Sequence, residues 1–303
     1  MGSANLPLTA GDVLTLPELR HFQRVSGWRG AALVAHAWVT IAAAMIAYAL
    51  WPSILTLVAA VAVVGGRQFG LVVLMHEATH WRLFPRPKAN DRVARWLCAL
   101  PIGAELSSYR RRHHLHHRYV RQPQDPDLGL GGPCPVARAS FWRAVARDLT
   151  GVTAAARVLD ACRRCETASG AWRRLRGPVI ANLVLLGVLA TLGQWRLYPL
   201  LWLLPLVTWY QVLTRIRNVA EHALTPDSED PLRNTRSVRV GLLARLLVAP
   251  YWVNFHLEHH LLVFVPCWKL REAHALLLEK GYGPRMEIAT GYVEVIRRVT
   301  AAG

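Results

Sequence analysis

The sequence predicts an all-α integral membrane protein: four transmembrane helices in two hairpins, with a histidine-rich helical cap on the cytoplasmic side. Three observations carry the prediction. Apolar residues are bunched into runs of membrane length. Positive charge collects in the segments between and outside those runs. Ten of the 13 histidines fall into four short motifs, and nine of those ten are candidate ligands, most of them at helical spacing.

Crossing about 30 Å of hydrocarbon takes roughly 20 apolar residues as a helix. Residues 30–50 form such a run, broken only by His36. Trp51-Pro52 makes a short turn, and residues 53–75 form the second run, interrupted at Arg67 and Gln68. Residues 93–104 are too short to span and read as a re-entrant or interfacial piece. Residues 133–177 read as an Arg- and Ala-rich helical stretch returning to the membrane. Residues 178–193 and 197–213 supply the third and fourth runs. The last part of the chain mixes apolar stretches with frequent charges, a pattern suited to helices on or under a membrane surface.

Topology follows from the arginines. Arg20, Arg24 and Arg29 precede the first run, the 51–52 turn is uncharged, and the 194–197 turn holds only Arg196. Positive-inside bias then puts both termini, the 76–177 loop and the 214–303 tail in the cytoplasm, making this a multi-pass protein of the cell's inner membrane. The first 29 residues lack the short apolar core and small-residue cleavage site of a signal peptide, so the first run reads as an anchor. With no internal repeat and no linker, 1–303 reads as one membrane domain.

Composition narrows the function. The formal net charge is +17, yet 53% of residues are apolar, which excludes a disordered chain. Five cysteines are too few for a disulfide scaffold. Nucleic acid is not the expected partner, because no basic module interleaved with aromatics and no zinc finger is present. Arginine beside a membrane meets anionic headgroups instead, making the lipid bilayer itself the first partner.

The first motif is His76-Glu77-Ala78-Thr79-His80, directly after the second run; a spacing of four puts both imidazoles on one helix face. In Arg112-His113-His114-Leu115-His116-His117, positions 113, 116 and 117 share a face and His114 points elsewhere. Asn254-Phe255-His256-Leu257-Glu258-His259-His260 repeats the i, i+3, i+4 spacing, and Glu221-His222 follows the fourth run. Neutral imidazole is the commonest nitrogen ligand of transition metals. Nine imidazoles exceed the four ligands of a structural zinc or the three of a catalytic one, and suit two metal ions with open positions.

On these residues, and on the flanking Asp230-Pro-Leu-Arg-Asn-Thr-Arg236, the chain resembles the membrane fatty acid desaturase superfamily, the histidine-box di-iron enzymes. The resemblance covers roughly residues 50 to 275. It implies two non-haem iron ions, dioxygen as co-substrate and electrons from an external carrier. It carries the ligand role onto His76, His80, His113, His116, His117, His222, His256, His259 and His260, and gives Asn254 the task of holding a metal-bound water. The implied reaction is desaturation of an acyl chain, in a fatty acyl lipid or similar aliphatic substrate. The alternatives within the superfamily are hydroxylation, or desaturation of a small polar molecule. A rival from another class is a membrane zinc metalloprotease, since His76-Glu77-x-x-His80 also spells the zincin motif with Glu77 as general base. It would leave most of the histidines unexplained.

Other residues have candidate roles. Glu77, Glu221, Glu258, Asp125 and Asp127 are placed to hold imidazole tautomers by accepting N–H bonds. Arg67 lies within a membrane run, where a charge costs roughly 2.5–3.5 kcal/mol on insertion scales. It either binds a polar substrate end, together with Gln68 and His36, or bonds to neighbouring helix carbonyls. Cys162-Arg-Arg-Cys165 has redox spacing but no second pair, and reads as incidental. With no dinucleotide fingerprint and no four-cysteine cluster, the electron donor is expected to be a separate ferredoxin or cytochrome with its reductase, docking on the Arg-rich face.

Overall fold

The computed structural model describes residues 8–129, 134–163 and 167–301. The chain is mostly helical, and among the described residues three helices are long and apolar enough to cross a membrane. The first two are α1 (Gly27–Leu50) and α2 (Ile54–Thr79), joined by the Trp51-Pro52 turn. Ser53 caps α2: its hydroxyl accepts the Thr56 N–H at 3.1 Å, and the Thr56 hydroxyl accepts the Ser53 N–H at 3.0 Å. α1 buries the stripe Val34, Ala37, Ile41 and Met45, at the i+3/i+4 spacing of a single helix face. Its other faces leave Val39, Ile46 and Leu50 exposed, as lipid contact requires.

α2 is the central rod. It is buried at nearly every position from Val64 to Thr79, so elements pack around it on all sides. Glycines allow close approaches. A Cβ on Gly66 would lie 3.0 Å from the Leu247 carbonyl oxygen, and one on Gly70 would lie 2.8 Å from the Tyr251 ring. The helix continues past the apolar run, so its last turn carries His76 and ends at Thr79, with His80 as the capping residue.

Residues 93–104 do not span. They form a π-helical turn, Ala94–Ala99, and a 3-10 turn, Leu100–Ile102, ended by the left-handed Gly103. The cap helix α3 (Leu106–Tyr119) follows, started by Glu105, whose carboxylate accepts the N–H groups of Ser107 and Ser108 at 3.1 and 2.8 Å. Two amphipathic helices, α4 (Arg138–Leu149) and α5 (Val152–Arg163), lead back to the third long helix, α6 (Ala168–Thr191). α6 begins ten residues before the expected start of the third run and passes through Pro178. Of the Cys162/Cys165 pair, Cys162 is an exposed free cysteine on α5, and Cys165 lies outside the described residues.

The fourth apolar run, 197–213, is not one continuous helix. Tyr198–Leu203 is π-helical, Leu204–Val207 is a short α-turn, and Thr208 (φ −120°, ψ −88°) breaks the path before α7 (Trp209–His222). Pro199 and Pro205 lack the N–H that would continue an α-ladder, and the Leu204 N–H reaches back five residues to the Pro199 carbonyl instead. Asn182 of α6 pins this segment, its Oδ1 accepting from the Tyr198 hydroxyl at 3.1 Å and the Trp202 indole at 3.0 Å.

Beyond α7 the chain is compact and irregular. Strands β1 (Ser237–Val238) and β2 (Ile288–Ala289) pair in parallel, Ser237 opposite Ile288. Arg236, almost fully buried, donates to the carbonyls of Ala220 and Leu224 and to Glu287, fixing the end of α7 against the segment before β2. Tyr251 and Trp252 both take left-handed backbone conformations (φ 54° and 59°) just before α8 (His256–Leu261). For bulky residues this is strained and must be held by surrounding contacts. The Tyr251 hydroxyl meets His36 Nδ1 at 3.1 Å and donates to the Leu33 carbonyl at 3.3 Å, tying this corner to α1. α9 (Leu270–Glu279) and α10 (Tyr292–Val299) follow.

Candidate metal centre

Four elements bring the histidines together: the end of α2, the middle of α3, the end of α7 and all of α8. Their imidazoles fall into two groups. His76, His80, His113, His117 and His259 form one, and His116, His222, His256 and His260 the other; within each group the ligand-capable atoms all lie within 4.8 Å of one another. All nine residues singled out by motif spacing are in one group or the other. His114 is in neither. Its Nε2 lies 3.3 Å from the Thr79 carbonyl, and its ring centroid 5.7 Å from that of His80.

The spacing within the first group is not that of a hydrogen-bonded chain. The Nε2 atoms of His80, His113, His117 and His259 follow one another at 3.0, 2.9 and 3.1 Å. A neutral imidazole nitrogen carries either one proton or one lone pair, so at most two of these three contacts can be hydrogen bonds. Imidazole nitrogens bound at 2.0–2.1 Å to a common ion at right angles would sit about 2.9 Å apart. In the second group, His222 and His256 bring their Nε2 atoms to 3.0 Å. Four further ring nitrogens are buried without a partner among the described residues: His76 Nε2, His222 Nδ1, His259 Nδ1 and His260 Nε2. The donor set therefore fits two metal ions.

Burial keeps the imidazoles in the ligand form. Loss of solvent holds His80 down at about 3, and drives His113, His117, His222, His256, His259 and His260 well below the usual histidine value. Neighbouring imidazoles act in the same direction, since each protonated ring would repel the next. Neutral rings keep their lone pairs for a cation.

The carboxylates divide sharply. Asp125 accepts from His116 Nδ1 at 2.9 Å and from the backbone N–H groups of Arg121 and Asp127. Glu77 sits 3.6 Å from His76 Nδ1, while its Oε2 accepts the Cys267 N–H at 2.8 Å. That bond anchors the end of α2 to the loop after α8 and commits one Glu77 oxygen to structure, which argues against a zincin-type base. Glu221 lies 2.6 Å from Arg217 and 3.4 Å from His256 Nε2; burial raises its pKa to about 7, with Arg217 opposing the rise. Glu258 faces away from the nine histidines, bonding His274 Nδ1 at 2.5 Å and the Ser237 hydroxyl. Asp127 pairs with Arg112 at 2.5 Å.

Asn254 uses its side-chain N–H to hold the Val238 carbonyl at 2.9 Å, leaving Oδ1 buried without a partner among the described residues. Arg67 is buried; it donates to the Leu246 carbonyl and lies over the Tyr251 ring, 5.5 Å from its centroid. Gln68 donates to the Trp202 carbonyl at 2.7 Å. The protein itself thus accepts a hydrogen bond from each member of the polar pair inside α2, while Gln68 Oε1 is buried without a partner among the described residues. Residues that motif spacing did not single out are Cys267, Ser237 and His274, whose contacts with Glu77 and Glu258 join segments distant in sequence. Arg217 carried a weak signal, four residues before Glu221 on one helix.

These features define a class: a helical protein with membrane-length helices and two compact clusters of largely buried imidazoles. The chain belongs to the fatty acid desaturase family, whose model matches residues 51–290. It is similar to a dihydrorhizobitoxine desaturase of Bradyrhizobium elkanii, 29% identical over 246 residues, covering 74% of this chain and 68% of the relative. It is also similar to a beta-carotene ketolase of Paracoccus sp. strain PC1, 27% identical over 203 residues, covering 66% of this chain and 72% of the relative. A beta-carotene ketolase from a second Paracoccus strain is 29% identical over 203 residues. The relatives carry out oxidations, and the chain is an oxidoreductase.

Proposed function

We propose that the chain is a membrane oxidoreductase that uses dioxygen and two non-haem iron ions to desaturate an aliphatic substrate. The observation that carries this reading is the division of nine imidazoles, six buried and three half-buried, into groups of five and four, each compact enough for one ion. His76, His80, His113, His117 and His259 would hold one iron, and His116, His222, His256 and His260 the other. Bound there, the iron pair supplies a dioxygen-derived oxidant able to take hydrogen from an unactivated C–H bond. The chain's own residues position and insulate. Asp125 fixes the tautomer and ring plane of His116, and burial shields most of the imidazoles from bulk solvent. Asn254 Oδ1 is the free acceptor for a water at the site.

A second reading, oxygen insertion, is favoured by the beta-carotene ketolase relatives. Loss of two hydrogens gives an alkene; gain of one oxygen gives an alcohol on the way to a ketone.

The proposed membrane arrangement is four spans in two hairpins, with the broken 197–213 segment as the fourth, and the histidine groups and both termini on the cytoplasmic side. The arginine distribution supports it. Electrons are proposed to come from an acidic ferredoxin- or cytochrome-type protein docking on the exposed arginines of α3. Iron quantitation on the purified chain tests the core of the reading, followed by mass analysis of products from candidate acyl lipids and small amphiphiles. Two iron ions per chain and an oxygen-dependent product are expected. One zinc per chain, with no oxygen-dependent product, would overturn it.

A further inference from the structure

A cavity of about 200 Å³ reaches the histidines at His113, His116 and His222. Its remaining wall mixes the polar side chains Tyr109, Arg121, Asp127, Arg217 and Asn218 with the apolar Leu128, Ala223 and Leu224. A larger apolar groove, about 760 Å³, runs between α1 and α6, and none of the nine histidines lines it. The space that opens onto the site is therefore small for a ligand pocket and built for hydrogen bonding.

Its charges do not cancel. Arg217 is paired with Glu221 at 2.6 Å, and Asp127 with Arg112 at 2.5 Å. Arg121 has no carboxylate partner among the described residues. Its guanidinium makes two hydrogen bonds, both from one terminal nitrogen, Nη1, to the carbonyl and hydroxyl of Thr225. The Nε–H and Nη2–H edge is left without a bond among the described residues. That edge is the fork that grips a carboxylate with two parallel bonds. The Tyr109 hydroxyl and the Asn218 amide also make no hydrogen bond among the described residues, although Asn218 is 6% exposed. Asp125, close to Arg121 in sequence, commits its oxygens to His116 and to backbone N–H groups. Imidazole ligands add no negative charge, so bound metal ions would make the cavity more positive still.

We propose that this cavity binds the carboxylate of a compact aliphatic acid. Arg121 is its bidentate anchor, Asn218 and Tyr109 are secondary partners, and the aliphatic part lies against the histidine groups. The proposal rests on the oxidoreductase reading above and assigns its substrate class. It separates the chain from enzymes whose substrate is a long acyl chain.

The test uses the full chain, purified in detergent and loaded with ferrous iron, with butyrate and its neutral isostere butyramide as probes in titration calorimetry. Butyrate is expected to bind more tightly than butyramide. Arg121→Gln should weaken butyrate binding by about tenfold or more, and Arg121→Lys should restore part of it. Asn218→Asp places a negative charge in the cavity without touching Arg121; it should abolish butyrate binding and spare butyramide. Iron content is measured on every sample. A variant that has lost its iron counts as misfolded, and the other variant then decides. Equal binding of butyrate by the wild type and Arg121→Gln would place the carboxylate on the metals and overturn the proposal. So would equal affinity for butyrate and butyramide. A wild type that binds no iron, yet binds butyrate through Arg121, would instead sink the di-iron reading and leave the anion site standing.

Discussion

Asp125 Oδ1 stands 2.9 Å from His116 Nδ1, with both side chains buried. The contact leaves His116 Nε2 as the nitrogen free to face the other three imidazoles of its group. Removing such a partner commonly costs 10–100-fold in metal affinity. Asp125→Asn should lower the affinity of the four-histidine site by that factor and leave the five-histidine site intact. Dialysis against graded chelator, followed by iron analysis, should show one ion lost early and one retained. Simultaneous loss of both would count against separate sites.

His113 and His114 are neighbours with opposite fates. His113 Nε2 sits between His80 and His117, whereas His114 faces the Thr79 carbonyl. His113→Ala should deplete iron, and His114→Ala should keep both ions. Metal analysis of the two variants checks this directly, and equal loss in both would remove the basis for excluding His114.

Gly70 leaves no room for a side chain, since a Cβ would meet the Tyr251 ring at 2.8 Å and Pro250 at 3.6 Å. Overpacking of this kind costs about 1–3 kcal/mol. Gly70→Ala should lower the melting temperature in detergent and loosen α8, seen as reduced iron retention by both groups, because His259 and His256 ride on that helix. An unchanged melting temperature would show that the Tyr251 corner yields without cost.

The donor interface should be salt-sensitive. Arg111, Arg112 and Arg118 are exposed on α3 beside the site. Turnover supported by an acidic protein donor should fall as ionic strength rises and the Debye length shrinks below about 10 Å. Turnover driven by a small uncharged reductant should not change. Equal salt responses would argue against arginine-guided docking.

Much of this was legible in the sequence because helical spacing converts directly into shared faces. The i, i+3, i+4 pattern of His256, His259 and His260 needs no tertiary information, and neither does the outlying position of His114. The apolar runs reported an environment, but not the continuity of the helix within it. Residues 197–213 have the composition of a span, yet Pro199 and Pro205 turn them into π and α fragments. The carboxylates were legible as a set and not one by one. Asp125 supports a site histidine, whereas Glu258 serves His274, because partner choice depends on how α8 packs against α9 and β1. The left-handed pair Tyr251-Trp252 gave no signal, as neither residue type favours that conformation. Its cause lies in contacts with α1 and α2.

α2 is a single rod of 26 residues, about 39 Å long at 1.5 Å per residue, with His76 in its last turn. The hydrocarbon layer is about 30 Å thick. No hinge separates the apolar part of this helix from the part that carries two histidines. In the membrane arrangement proposed above, the depth of the imidazole clusters would be set mechanically, by how the rod tilts to match the bilayer. Lipid chain length would then be a physical variable of the reaction, because hydrophobic mismatch that tilts α2 also moves the two histidines at its end.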